Sequence, residues 1–244
     1  MLTVLPLIFD YLDNSFELNE TCKEANITST KYPLSLYAQE FSKKALMKYR
    51  WRYLRLARGM YLTDTDMQNF TPTHTLILIN PNSITDLGLL YLQNIHTLDL
   101  LSDSSITDTG LSYIPNIQYL RLGYNNKITD NGLKHLVKIK ELSLDENKQI
   151  TDLGLQYIPH VRTLNLNLNN KITDLGLVHM ANIQELYLKS NMQITAKGLR
   201  DLKHIKVLDL EKNRNITPEF LSIFRFQRQC RIINFRLEFD LYFM

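Results

Sequence analysis

A six-residue phrase, Ile-Thr-Asp-x-Gly-Leu, returns along the chain every 22 residues without an insertion. Its first position falls on seven equally spaced isoleucines: Ile84, Ile106, Ile128, Ile150, Ile172, Ile194 and Ile216. One step earlier, Leu62 opens a degenerate copy, LTDTDM. A fixed period of this length indicates a repeat architecture, in which each unit buries its apolar face only against its neighbours.

A second phrase, Leu-x-Leu-x-x-Asn, keeps the same period. Its Leu-x-Leu part occurs eight times from about Trp51 to Asn213, with leucine pairs from Leu54/Leu56 to Leu208/Leu210, and a weaker ninth copy lies around Cys230 to Ile232. Alternation with period two predicts a short strand with both leucines on one face. Since one strand per 22 residues cannot close a core alone, stacked copies are expected to form a parallel sheet over a buried column of leucines.

The polar positions of the repeat are interpreted as structural. Asparagine follows the strand in five consecutive copies, where its amide can pair with buried backbone groups: Asn125, Asn147, Asn169, Asn191 and Asn213. The Thr-Asp pair is expected to accept hydrogen bonds from free N–H groups at the start of a short helix. One Thr and one Asp per repeat favours such a cap over a metal or catalytic array.

This pattern resembles the leucine-rich-repeat family. The resemblance implies an α/β solenoid with short parallel strands on its concave face and short helices on its convex face. The ITDxGL phrase is similar to the cysteine-containing subtype found in F-box/leucine-rich-repeat proteins. The chain departs from that subtype in having Asn where Cys is usual and a repeat of only 22 residues.

In that family the residues between the core leucines face the concave surface and bind a protein target. The candidate partner-binding residues are therefore those between the leucines, together with one tyrosine beside them: Arg55, Ile77, Asp99, Tyr119, Arg121, Ser143, Asn165, Tyr187 and Asp209, with Arg231 as a further possibility. Flanking columns add Glu141, Asp145, Glu185, Lys189 and Glu211. Tyr and Arg are the types that carry most binding energy. The acidic residues in the middle of the array favour a basic partner.

Residues 1–50 lack the repeat and are predicted to form a small all-α module that covers the first repeat. Leu5, Ile8, Phe9 and Leu12 fall at helical spacing. A second helix is predicted around Phe16, Leu18 and Cys22, and a third from Ser35 into the first strand phrase.

The beginning of this module is similar to an F-box. Ile8-Phe9-Asp10-Tyr11-Leu12 matches the family's I-[FL]-x-[YF]-L phrase, and Thr21-Cys22-Lys23 approximates its V-C-[KR] phrase, although the leading Leu-Pro turn is truncated. The resemblance implies that this module docks a Skp1-type linker of a cullin-RING ubiquitin ligase. The contact would be made by Val4, Leu5, Ile8, Phe9, Tyr11 and Leu12. The alternative is a stand-alone interaction scaffold, or a microbial or viral effector, in which these helices are only a cap.

Residues 51–217 are assigned to the repeats and residues 218–244 to a C-terminal cap. After Ile216, Pro218 replaces the Asp and Phe220 replaces the Gly, and aromatic residues accumulate towards Phe243. These rings are expected to cover the last repeat, with an exposed partner patch as the alternative. The segment IINFRLEF alternates like an edge strand, which a cap must protect.

Composition and motif content limit the classes of partner, cellular location and activity that are expected for this chain. The net charge of +3 comes from basic residues spread along the chain, so neither nucleic acid nor a membrane is an expected partner. Two cysteines, an apolar start without a basic leader and no long apolar run predict a cytoplasmic protein, possibly nuclear, or one in a host cytosol. No glycine-rich phosphate loop or G-x-S-x-G or H-E-x-x-H motif occurs, so no enzyme, cofactor, catalytic residue or metal site is predicted.

Overall fold

The computed structural model describes residues 34–38, 51–56, 62–79, 84–101 and 105–233. In these ranges ten strands form one sheet whose spatial order equals their order in the sequence, and each neighbouring pair is parallel. The strands are β1 (Leu34–Ala38), β2 (Trp51–Leu56), β3 (Thr75–Ile79), β4 (Thr97–Leu101), β5 (Tyr119–Arg121), β6 (Glu141–Ser143), β7 (Thr163–Asn165), β8 (Glu185–Tyr187), β9 (Val207–Asp209) and β10 (Arg231–Ile233). The predicted solenoid is confirmed.

The strand register follows the 22-residue period. Leu98 pairs with Leu120, and Leu120 pairs with Leu142. Within β5 only the central Leu120 is buried, while Tyr119 and Arg121 are exposed, as period-two alternation requires. The leucines of successive strands therefore form one continuous hydrophobic core along the solenoid.

Short helices return the chain from one strand to the next. Two 3₁₀ segments, Asp64–Phe70 and Leu90–Leu92, accompany the helices α1 (Asp86–Leu89), α2 (Asp108–Ser112), α3 (Asp130–Leu133), α4 (Asp152–Leu155), α5 (Asp174–Leu177), α6 (Ala196–Leu199) and α7 (Pro218–Arg228). Each of α1 to α6 begins after a Thr whose hydroxyl accepts a hydrogen bond from the second N–H of the helix. The side chains of Leu133, Leu136 and Ile139, on and after α3, are buried.

The asparagine column is a continuous hydrogen-bonded ladder. Asn169 is fully buried, and its Nδ2 donates to the carbonyls of Asn147 (2.9 Å) and Ile150 (3.0 Å). Its Oδ1 accepts from the N–H groups of Lys171 (2.8 Å) and Ile172 (3.0 Å). Each amide thus satisfies the turn of its own repeat and the backbone of the preceding one, as expected.

The aspartate column differs from the prediction. Asp130 does not cap its own helix, because its carboxylate reaches the next repeat, where Oδ1 accepts from the N–H of Thr151 (2.8 Å) and Oδ2 from its hydroxyl (2.6 Å). The same pair of bonds joins each Asp of Asp64, Asp86, Asp108, Asp152 and Asp174 to the Thr 21 residues later. The Asp of each phrase therefore joins its repeat to the next one by hydrogen bonds, while the Thr caps the helix of its own repeat.

The predicted third N-terminal helix is wrong at its start. Leu34–Ala38 forms β1, which pairs in parallel with β2 and aligns Leu36 with Leu54. The segment Leu-Ser-Leu carries the same period-two alternation as the later strands. It was missed because it stands 18 residues before its partner and so departs from the 22-residue period. The other predicted helices of residues 1–50 lie outside the described residues.

At the C-terminal end the repeat lengthens. The 11-residue α7 buries Leu221 and Phe224 against the core, whereas Phe226 is 86% exposed, so its rings are divided between core and surface. Because α7 is longer than the preceding helices, β10 aligns Ile232 with Leu208 and Ile233 with Asp209. Arg231 pairs with Val207 and does not continue the central column of the concave strands, which corrects that candidate position. Phe235, Phe239, Tyr242 and Phe243 lie outside the described residues.

Candidate interaction surface

The concave surface is formed by three columns of side chains: one before, one between and one after the core leucines. The central column runs in unbroken register through β3 to β9: Ile77, Asp99, Arg121, Ser143, Asn165, Tyr187 and Asp209. Strands about 4.8 Å apart give this column a length of about 30 Å. Arg55 holds the same register position on β2, between Tyr37 and Ile77. The structure therefore places the sequence-predicted residues of β3 to β9 on one surface.

The half of this surface on β6 to β9 is acidic. Glu141, Glu185 and Asp209 lie on strands, and Asp145 and Glu211 lie two residues after the ends of β6 and β9. The single cation among these positions is Lys189, whose Nζ lies 2.7 Å from a carboxylate oxygen of Glu211. Five carboxylates against one ammonium give this half a net negative charge on a chain whose total charge is +3.

Two of these carboxyl groups have a pKa above the ordinary value for their type. Burial raises the pKa of Glu141, and the Glu185 carboxylate in the same column raises it further, against a smaller opposing effect of Arg121. Burial also raises the pKa of Asp145, with the neighbouring Glu146 adding to the effect. Oδ1 of Asp145 is buried without a hydrogen-bond partner in the described part of the chain. The surface therefore holds negative charge that its own cations do not balance.

Tyr187 lies beside this charge. Its hydroxyl donates to Oε2 of Glu185 at 3.2 Å, and burial followed by the Glu185 charge raises the pKa of the phenol. The phenol therefore keeps its own proton and donates it in the hydrogen bond to Glu185. The ring therefore offers a partly buried aromatic surface next to the carboxylates of Glu185 and Asp209.

The half of the surface on β3 to β5 has positive and negative charges in similar number. A guanidinium nitrogen of Arg121 lies 3.4 Å from Oδ2 of Asp99, and the Arg121 side chain is largely exposed. Tyr119 is exposed beside it, and Thr75 and Thr97 continue its column. This half offers the Tyr and Arg that are enriched in protein interfaces, with little net charge.

Sequence reasoning missed two members of the acidic half. Thr163 lies on β7 between Glu141 and Glu185, and Asn167 accepts the Lys189 N–H through its Oδ1 at 2.8 Å. Both occupy the same repeat positions as their charged neighbours, and that shared position is the signal that could have found them.

The described ranges hold no group of three or more His, Cys, Asp and Glu side chains placed to bind a metal ion. Two of the repeat's histidines, His74 and His96, stack with ring centroids 4.2 Å apart. The predicted linker-binding residues Val4 to Leu12 lie outside the described residues. Within the described residues no helix is long and apolar enough to span a bilayer.

Comparison with known proteins supports the repeat assignment. The leucine-rich-repeat family description matches residues 113–137 and 157–181, and no F-box domain was detected. A comparison with curated proteins found no match.

Three solved structures are similar to the chain. An internalin (inlF) from Listeria monocytogenes is 25% identical with a TM-score of 0.61, over 77% of this chain and 55% of that one. A chain of the yeast Rad7 and Elc1 complex is 18% identical with a TM-score of 0.56, over 80% of this chain and 65% of that one. The TLR13–ssRNA13 complex is 22% identical with a TM-score of 0.56, over 72% and 27%.

The chain thus spans between 27% and 65% of the length of these proteins, and the likeness concerns their fold. The parallel stack of 22-residue units and the match of residues 113–137 and 157–181 both indicate leucine-rich repeats. The chain contains leucine-rich repeats, which form a solenoid whose concave surface is acidic over β6 to β9.

Proposed function

We propose that this chain is a protein-binding adaptor that holds its target on the concave surface. The observation that carries the proposal is the unbroken row from Ile77 to Asp209, which presents Arg121 and Tyr187 among polar side chains. A row about 30 Å long is large enough for a standard interface. The yeast Rad7 structure, a complex with a second protein, is in keeping with such a role.

The more specific proposal is a substrate-recognition subunit of an SCF-type (Skp1-cullin-F-box) ubiquitin ligase. It rests on the F-box-like phrase Ile8 to Leu12 directly before an ITDxGL-type repeat array. In this arrangement the residues between Val4 and Leu12 would contact the Skp1-type linker, and the ubiquitin-transfer chemistry would take place on other subunits.

Co-purification of the full chain with Skp1 tests this role. We expect Skp1 to be retained by the wild-type chain and lost when Leu5→Asp is combined with Ile8→Asp. The matched control is Leu153→Asp with Leu175→Asp, which places the same two changes at exposed helix positions. Failure of the wild-type chain to retain Skp1 would overturn the ligase role and favour a stand-alone scaffold or effector.

An RNA-binding role receives less support. One structural neighbour is a complex with single-stranded RNA. The concave surface of this chain is acidic over β6 to β9, and a phosphate backbone is repelled by such a surface. A protein partner is therefore the better proposal.

A further inference from the structure

We infer that the acidic half of the concave surface, on β6 to β9, binds a basic segment of the protein partner, rich in Lys or Arg. The inference rests on the proposed function, because it names the chemistry of the partner held on the same surface. It is carried by charge complementarity on a sheet face that includes the partly buried aromatic ring of Tyr187.

The geometry of this half suits cationic side chains. Glu141 and Glu185 occupy the same column on β6 and β8, with the small polar Thr163 between them. Two strand spacings separate the carboxylates by about 10 Å. A Lys or Arg side chain laid over Thr163 can interact with both carboxylates.

Tyr187 extends this site to the adjacent column. Its hydroxyl donates to Glu185, which places the ring beside that carboxylate. An aromatic face beside carboxylates attracts a guanidinium or ammonium group through both its quadrupole and their charge. Asp209, 5% exposed, lies next to Tyr187 in the central column and adds negative charge at the floor of the surface.

In the unbound protein the negative charges of this half repel one another. Burial and neighbouring carboxylates oppose the ionisation of Glu141 and Asp145, and Lys189 is already engaged with Glu211. A cation supplied by a partner relieves this repulsion. Binding is therefore expected to weaken as salt is added and as the pH falls into the range where these carboxyl groups take up protons.

Selection from a random library of 12-residue peptides, displayed on phage and panned on the full chain, tests the inference. Selected peptides are then synthesised and their affinities measured by fluorescence anisotropy at low and high salt. The concave variant is Glu141→Gln with Glu185→Gln. The matched control is Asp201→Asn with Glu219→Gln, which removes two exposed carboxylates away from the concave strands.

The inference predicts an excess of Lys and Arg in the selected peptides. Their affinity should fall at least tenfold in the concave variant and less than twofold in the control variant, and it should also fall with added salt. Peptides without such an excess that still lose affinity in Tyr187→Ala or Arg121→Ala would overturn the basic partner while leaving the concave binding role intact. Peptides that are insensitive to every concave substitution would overturn both.

Discussion

Oδ1 of Asp130 occupies the space into which a side chain at Gly154 would point. A Cβ built on Gly154 would lie 2.3 Å from this oxygen and 3.0 Å from the Asp130 Cγ. The same carboxylate accepts two hydrogen bonds from Thr151. The Thr, Asp and Gly of the repeated phrase are therefore parts of one contact between successive repeats, with the Asp coming from the repeat before.

We predict that Gly154→Ala destabilises the protein by about 1–3 kcal/mol, because the added methyl group displaces the Asp130 carboxylate. In an Asp130→Ala background, which itself costs about 2–3 kcal/mol through lost charge-assisted bonds, the same glycine change should be close to neutral. Urea unfolding of the wild type, the two single variants and the double variant measures the coupling between the two positions. Equal costs of Gly154→Ala in both backgrounds would contradict the contact.

The asparagine ladder gives a second prediction. Asn169→Ala leaves two N–H groups and two carbonyls at the turn without their partner. We expect a loss of about 2–4 kcal/mol in the free energy of unfolding. Asn170→Ala, at the exposed neighbouring position, should change it by about 0.5 kcal/mol or less. Chemical denaturation of both variants provides the comparison, and similar losses would argue against a structural ladder.

The raised pKa of Asp145 predicts that this group makes the folded protein less stable as the pH rises. Because burial and Glu146 oppose its ionisation in the folded state, the folded protein binds this proton more tightly than the unfolded chain. Stability is consequently lost as the pH rises through the folded-state pKa. Asp145→Asn removes that loss, so the variant should melt at a higher temperature than the wild type at neutral pH.

At acidic pH, below the ordinary aspartate value, the two melting temperatures should converge. Asp201→Asn removes the same charge from an exposed site outside the concave strands and serves as the control. A lower melting temperature for Asp145→Asn than for the wild type at neutral pH would contradict the assigned repulsion.

Repeat equivalence gives a fourth prediction. Deleting residues 152–173 joins Thr151 to Asp174 and restores the ITDLGL phrase. Asp130 keeps Thr151, and Asp174 keeps Thr195. The shortened chain should fold cooperatively, with an m-value in urea lower by about a tenth, since m follows the surface exposed on unfolding. A molten or aggregated product would contradict the equivalence of the repeats.

The sequence predicted the central strands and the concave columns because a strict period fixes both register and facing. The sequence did not predict the contacts that form only when the repeats are stacked. The Asp130 carboxylate meets Thr151 and Gly154 only once the repeats are stacked, so the sequence suggested a local cap. The sequence at the C-terminal end of the array is consistent with this contact. Ala196 replaces the Asp of the last standard repeat, and in the following unit Phe220 replaces the Gly that such an Asp would contact.

The ends of the array were harder to predict for a different reason. Leu36 and Ile232 join the sheet at spacings of 18 and 24 residues from their partners, so the 22-residue period does not reach them. For the interaction surface, the columns were predicted, but the burial that raises the pKa of Glu141 and Asp145 appears only with the curved sheet in place.

The central claim is that partners bind the concave surface, and site-specific photo-crosslinking tests it most directly. A benzophenone amino acid placed at Asn165, in the middle of the central column, is compared with one at the exposed helix residue Val178. We predict that a partner protein crosslinks at position 165 and not at position 178, and that Glu141→Gln with Glu185→Gln lowers the yield. Crosslinking of the same partner at position 178 and not at position 165 would contradict the claim.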